Sequence, residues 1–130
     1  MWYHGWPVSR VILLFTSLAL FMIFAQVTLF HYRQNFRHWA MWGPVIGAPL
    51  IGLLALVSSF YYAPWLLTTT AFFFIVGVLT GAAGFAMHVN GVGQRVDGYK
   101  MQNFLIGPPI TLPLMVAAMS ILGLIAIYWR

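Results

Sequence analysis

Residues 11–30 read VILLFTSLALFMIFAQVTLF, twenty positions without a single charge. A hydrocarbon layer about 30 Å thick is crossed by about 20 apolar residues coiled as an α-helix, so this run alone is long enough to span a bilayer. It is too long for the apolar region of a secretory signal. Phe24-Ala25-Gln26 is also a poor cleavage site, so the run is read as a retained first helix. Three further runs share its character, at about 44–61, 65–87 and 109–128. The expected fold is an all-α integral membrane protein of four transmembrane helices, with residues 1–130 forming one domain.

Composition points the same way. Only 5% of the 130 residues are charged, and 62% are hydrophobic. An average soluble domain is about a quarter charged, so the deficit is roughly fivefold, which a bilayer tolerates and water does not. The chain has no cysteine, which excludes disulfides, thiolate metal sites, iron–sulfur clusters and cysteine nucleophiles. Its net charge of +5 comes from six basic residues against one acid, Asp97. The basic residues flank apolar runs, so anionic lipid headgroups account for them and nucleic acid is not an expected partner.

The aromatic residues check the span boundaries independently. Every tryptophan (Trp2, Trp6, Trp39, Trp42, Trp65, Trp129) and every tyrosine (Tyr3, Tyr32, Tyr61, Tyr62, Tyr99, Tyr128) falls at an expected span end or in a loop, whereas phenylalanine is found in both settings. Rings with a polar tip collect at the headgroup level, and phenylalanine has nothing to hold it there. Orientation follows from the basic residues. The two long loops hold Arg33, Arg37, Arg95 and Lys100, against Arg10 and Arg130 on the opposite side. This bias places the long loops in the cytoplasm and both termini outside, in a bacterial cytoplasmic (inner) membrane.

An internal repeat is visible. The second span opens with Gly43-Pro44-Val45-Ile46-Gly47-Ala48-Pro49-Leu50 and the fourth with Gly107-Pro108-Pro109-Ile110-Thr111-Leu112-Pro113-Leu114, both G-P-x-I-x-x-P-L. Each follows a basic loop, and each loop follows a helix ending near a histidine. Two similar helical hairpins would form a parallel repeat about an axis along the membrane normal. Pro49 and Pro113, about five residues into their spans, are expected to kink them by removing a backbone hydrogen bond. Gly77, Gly81 and Gly84 in the third span, and Gly43 and Gly47 in the second, are small residues at helix-packing spacing. Between the third and fourth spans, Asn90-Gly91 and Asp97-Gly98 are turn signals, and 88–104 is expected to form a small surface hairpin.

Sites for chemistry are few. No span interior carries Asp, Glu, Lys, Arg or His, which leaves no carboxylate for proton-coupled transport. Arg33, Arg37, Arg95 and Lys100 are candidates for lipid-headgroup contact or partner docking; Arg95, Asp97 and Lys100 could also form a small ion network, though a solvated turn is the plainer reading. His31 and His88 end helices that run in the same direction, so both imidazoles belong at one interface and at similar depth. Such a pair could ligate haem iron, and either alone could bind a chlorophyll magnesium or contact a quinone. The blander reading is a headgroup-facing residue in each case. His38 shares the face of His31 if the first helix continues that far, and His4 belongs near the opposite surface. No nucleophile–base pair or carboxylate dyad is present, so an enzyme in its own right is not expected. The leading expectation is a non-catalytic accessory subunit of a larger membrane complex of respiratory or photosynthetic type. The alternatives are a small haem b- or pigment-binding protein, and a small homo-oligomeric channel or transporter.

Overall fold

The structure, a computed structural model, describes residues 4–129, so Trp2, Tyr3 and Arg130 lie outside the described residues. Its regular elements are all helices: α1 (Val8–Arg33), a 3-10 turn (Trp39–Met41), α2 (Trp42–Phe60), α3 (Pro64–Gly93), the short α4 (Met101–Ile106) and α5 (Thr111–Tyr128). Four of them, α1, α2 with its preceding turn, α3 and α5, are long and apolar enough to cross a membrane. Neighbours pack in a closed ring, α1 on α2, α2 on α3, α3 on α5 and α5 on α1, so adjacent helices are antiparallel and α1 and α3 occupy one diagonal.

The bundle is inside-out by the standard of a water-soluble protein. Large apolar side chains such as Phe15, Met22, Leu29, Leu53, Phe72 and Leu79 face outward, while Thr16, Ser17, Ser58, Ser59, Thr70 and Ser120 are fully buried. Lipid solvates the outer surface as well as a core would, so the interior is left to groups that pack closely or bond across helices. Ser17 Oγ donates to the Gly52 carbonyl at 2.8 Å, tying α1 to α2. Ser58 and Thr70 meet at 2.8 Å, tying α2 to α3. Thr70 has one proton and places it on the Leu66 carbonyl, so Ser58 is the donor of that pair. Around these bonds Leu13, Leu20, Ile51, Ala71, Phe74 and Val116 fill the centre.

The α3–α5 seam shows what the glycines of the third span do. Gly77 lies against Ser120 Oγ, and a Cβ on Gly81 would stand 2.7 Å from the Pro113 carbonyl and 2.8 Å from Ala117 N and Cβ. On Gly84 it would come within 3.1 Å of the Pro113 ring. Gly123 does the same from α5, seating the ring of Phe74. Gly43 and Gly47 are placed otherwise: added Cβ atoms there would meet nothing within 4 Å. The glycine of α2 that packs inside the bundle is Gly52, against Leu20 and Phe21 of α1.

Helix lengths define the site. At 1.5 Å per residue α1 and α3 reach about 39 and 45 Å, while α2 and α5 reach about 28 and 27 Å. On the side of the termini the ends of α1, α2 and α3 lie close together. The link from α2 to α3 is only Tyr61–Ala63, and the ring of Trp6, just before α1, meets Phe60 at the end of α2 edge-on at 5.7 Å. The surplus of α1 and α3 therefore emerges on the opposite, loop-bearing side. Aromatic residues mark both levels: Trp6, Trp65, Tyr128 and Trp129 are exposed at one, and Tyr32, Trp39, Trp42 and Tyr99 at the other.

Three sequence expectations need correction. First, α3 does not stop near Met87. It runs through Asn90-Gly91 to Gly93, because one more turn buries Val92 completely. The surface hairpin expected over 88–104 is instead a helix end, a turn with left-handed Asp97 (φ 66°) and Gly98 (φ 62°), and α4. Asn103 of α4 locks that turn by donating to the Val96 carbonyl at 2.8 Å and the Gly98 carbonyl at 2.6 Å. Second, α1 ends at Arg33, where Asn35 (φ 55°) and Phe36 (φ 47°) turn left-handed, so His38 does not continue the helical face of His31. Third, the two proline motifs are not used alike. In α2 the helix begins at Trp42, Pro44 falls in its first turn, and Pro49 is interior, where its missing N–H leaves the Val45 carbonyl without its helix bond. In the other copy Pro109 disfavours helical backbone at its neighbour Pro108, α5 begins only at Thr111, and Pro113 falls in the first turn, where it removes no helix bond.

Candidate functional site

Both diagonal helices end in a histidine that reaches to the start of the next membrane helix. His31, buried in the last turn of α1, bonds through Nδ1 to the Met41 carbonyl at 2.9 Å. His88, five residues from the end of α3, bonds through Nδ1 to the Pro109 carbonyl at 2.7 Å. A carbonyl only accepts, so each Nδ1 carries the proton, and in the neutral ring Nε2 keeps a free lone pair. The same bond is what orients histidines that ligate metals. Phe36 meets His31 edge-on at 6.3 Å and stacks on Trp42 at 4.2 Å, so an aromatic wall closes one side. His38 is used differently, since its Nδ1 accepts from Ala40 N at 3.1 Å and caps the 3-10 turn. His4 is exposed.

Between the overhanging ends of α1 and α3 opens a cleft of about 560 Å³. Arg33 and Arg37 line it from the end of α1 and the turn after it, and Arg95 from beyond the end of α3. Gly107, Pro108 and Pro109 form its floor, where the double proline keeps α5 from extending upward to fill the space. Lys100 stands apart, paired with Asp97 at 2.7 Å on the surface. The ion network expected of Arg95, Asp97 and Lys100 thus contains only the last two among the described residues.

The cleft brings together three of the four basic residues singled out in the sequence with walls that were not expected there, among them Phe30, Gln34, Gly91 and Gln94. They become wall residues only because α1 and α3 outlast their neighbours, and the polar character of 88–94 hid that helix. A second omission is Arg10, counted as an ordinary interfacial cation. It is 8% exposed, and its Nε donates to the Ser59 carbonyl at the end of α2. Among the described residues no group of three or more His, Cys, Asp or Glu is placed to hold a metal ion. What the loop-side end offers chemically is two imidazole lone pairs and a cationic cleft. No family model, curated protein or solved structure matches the chain.

Proposed function

We propose that this chain is a non-catalytic accessory subunit of a larger membrane complex of the respiratory or photosynthetic electron-transfer type, contributing helix surface and lipid contacts. The observation that carries the reading is on α2, the least buried of the four spans. Its outward stripe Gly43, Ile46, Gly47, Leu50 is smooth, and the two glycines face open space instead of a neighbour in the bundle. A small-residue groove of this kind lets another membrane helix approach closely. The basic loops face the cytoplasm of a bacterium and anionic lipid, and both termini lie outside. The bundle is read as two similar hairpins, a duplication supported by the shared G-P-x-I-x-x-P-L motif and by the recurrent bond from a histidine to the start of the following helix.

The test is extraction in a mild detergent followed by mass analysis of what co-purifies with wild type and with Gly47→Leu. Wild type is expected to carry other membrane polypeptides. The variant is expected to lose them while its own helix content and thermal unfolding stay unchanged. Recovery of copies of this chain alone would replace the reading with that of a homo-oligomeric channel or transporter.

A second reading, a haem b- or pigment-binding role for His31 and His88, is favoured by one observation: both Nδ1 protons are committed to backbone carbonyls, which leaves two Nε2 lone pairs at one end of the bundle. Two such nitrogens are the axial set of a low-spin haem. On this reading the chain purified with its partners is coloured, and changing either histidine to Ala bleaches the visible spectrum. A colourless wild-type preparation that also fails to take up added haem removes it.

A further inference from the structure

We infer that the cleft between the loop-side ends of α1 and α3 is a binding site for one phosphate-bearing anion, supplied by an anionic phospholipid. The inference rests on the membrane reading of the chain, and it is independent of whether partner subunits or a haem are present.

The first argument is charge. Three arginines, Arg33, Arg37 and Arg95, line one cleft of about 560 Å³, and Arg95 Nε lies at its Gly107 side. The sequence has a single acid, and Asp97 gives its carboxylate to Lys100. No carboxylate remains for the arginines, and none of the three guanidinium groups forms a hydrogen bond or ion pair with another described residue. The carbonyl ends of α1 and α3 also point here, and each brings about half a negative charge. Against three full positive charges this leaves the cleft about two charges in excess. Like charges gathered at the low-dielectric edge of a bilayer repel, and an anion relieves that repulsion.

Ligand chemistry follows from the donors. A guanidinium presents its N–H groups as a planar fork that matches the oxygens of a phosphate, and the amides of Gln34 and Gln94 add neutral donors in the same wall. The remaining wall is apolar. Phe30 and Ile106 line the cleft beside the arginines, which suits a molecule with a glycerol and acyl portion better than a free inorganic ion. Basic pockets between transmembrane helices are a recurrent form of headgroup site.

The shape is built into the backbone. The cleft is open because Pro108-Pro109 delays the start of α5, and its floor is narrow because Gly91 and Gly107 bear no side chain. A Cβ at Gly91 would lie 3.1 Å from the Pro108 ring, and one at Gly107 would collide with the Asn103 carbonyl and reach within 3.5 Å of Arg95 Nε. Lys100, equally basic and nearby in sequence, is outside this arrangement and serves as the internal control.

The experiment is native mass spectrometry of the full chain in detergent, titrated separately with phosphatidylglycerol, cardiolipin, phosphatidylcholine and inorganic phosphate. Wild type is expected to bind one anionic lipid saturably, in preference to phosphatidylcholine. The triple variant Arg33→Gln/Arg37→Gln/Arg95→Gln is expected to bind that lipid about a hundredfold more weakly, from about 1 kcal/mol for each cation at 1.4 kcal/mol per tenfold. Lys100→Gln is expected to match wild type. Circular dichroism of the triple variant checks that the helices persist; if they do not, Arg95→Gln is expected to bind that lipid more weakly than wild type, with Arg95→Lys, which keeps the charge, between them. Displacement of bound lipid by millimolar phosphate would assign the site to a soluble anion of the same chemistry. Equal binding of phosphatidylcholine, or undiminished anionic lipid on the triple variant, would overturn the site, as would retention of lipid only while an acidic partner protein is attached.

Discussion

Replacing Gly81 with leucine is expected to abolish closure of α3 on α5, and replacing it with alanine to weaken the bundle by about 1–2 kcal/mol. The alanine figure is a difference of two effects. Removing a glycine from a helix interior is favourable by about 1 kcal/mol. Against it stands overpacking, which costs typically about 1–3 kcal/mol. Here it lies at the upper end, because the new Cβ would stand 2.7 Å from the Pro113 carbonyl oxygen and 2.8 Å from Ala117 N. Both are backbone atoms of α5 and have no rotamer to escape into. Leucine adds three more carbons to that collision, so the helices must separate and the contacts of Gly77 with Ser120 and of Gly123 with Phe74 go with them. Gly47→Ala is the matched control. Nothing lies within 4 Å of its Cβ, so only the propensity gain remains and stability should hold or rise. Reversible unfolding in a mixed-micelle denaturant titration reads all three. A Gly81→Leu protein as stable as wild type would mean that α3 and α5 do not pack through this seam.

The contrast between those two glycines shows where sequence reading reached and where it stopped. Four helices long and apolar enough to cross a membrane were legible, because apolar length and the absence of charge are properties of single segments. Gly77, Gly81, Gly43 and Gly47 were legible as small-residue faces, but which face meets which helix depends on rotation about each axis, and no hydropathy pattern encodes that when both sides of a helix are apolar. The end of α3 was missed for a related reason. Asn90-Gly91 is a turn signal in water, yet Val92 shortly after it is fully buried, and burying it favours another turn of helix over a local break. The unequal starts of α2 and α5 were in principle readable: Pro44 is followed by Val45, which permits helical backbone before it, while Pro108 is followed by a second proline, which disfavours it. Both prolines of that pair line the cleft. The bonds of His31 and His88 to carbonyls at the starts of the next helices depend on how far each loop folds back, which residue spacing does not report.

Arg10→Leu is expected to destabilise the bundle by about 3 kcal/mol, although Arg10 would pass for one more interfacial cation. The last four carbonyls of α2 have no partner within their helix. Ser59 is among them, and Arg10 Nε donates to its carbonyl at 2.5 Å, while the same guanidinium reaches the Gly5 carbonyl through a second nitrogen. A cation at the carbonyl end of a helix is also favoured by the helix dipole. The guanidinium carbon lies 3.4 Å from the centre of the Trp6 ring and 5.6 Å from that of Phe60, so the charge rests on one aromatic face with a second ring nearby. Hydrogen bonds from a charged donor contribute about 1.5–3 kcal/mol and a partly desolvated cation–π contact about 0.5–2. Part of that is offset by dehydrating a group that is only 8% exposed, which leaves about 3. Leucine fills the space yet leaves the Ser59 carbonyl unsatisfied. Lysine keeps the charge and has three donors but lacks the planar group that lies flat on Trp6 while reaching both carbonyls, so it should recover about half. Arg37→Leu, an exposed arginine on the opposite side, should change unfolding by less than about 0.5 kcal/mol, as exposed positions usually do. If Arg10→Leu and Arg37→Leu unfold alike in the same denaturant titration, the guanidinium does not cap α2, and α1 is held to α2 by other groups, the Ser17–Gly52 bond and the ring contact of Trp6 with Phe60 among them.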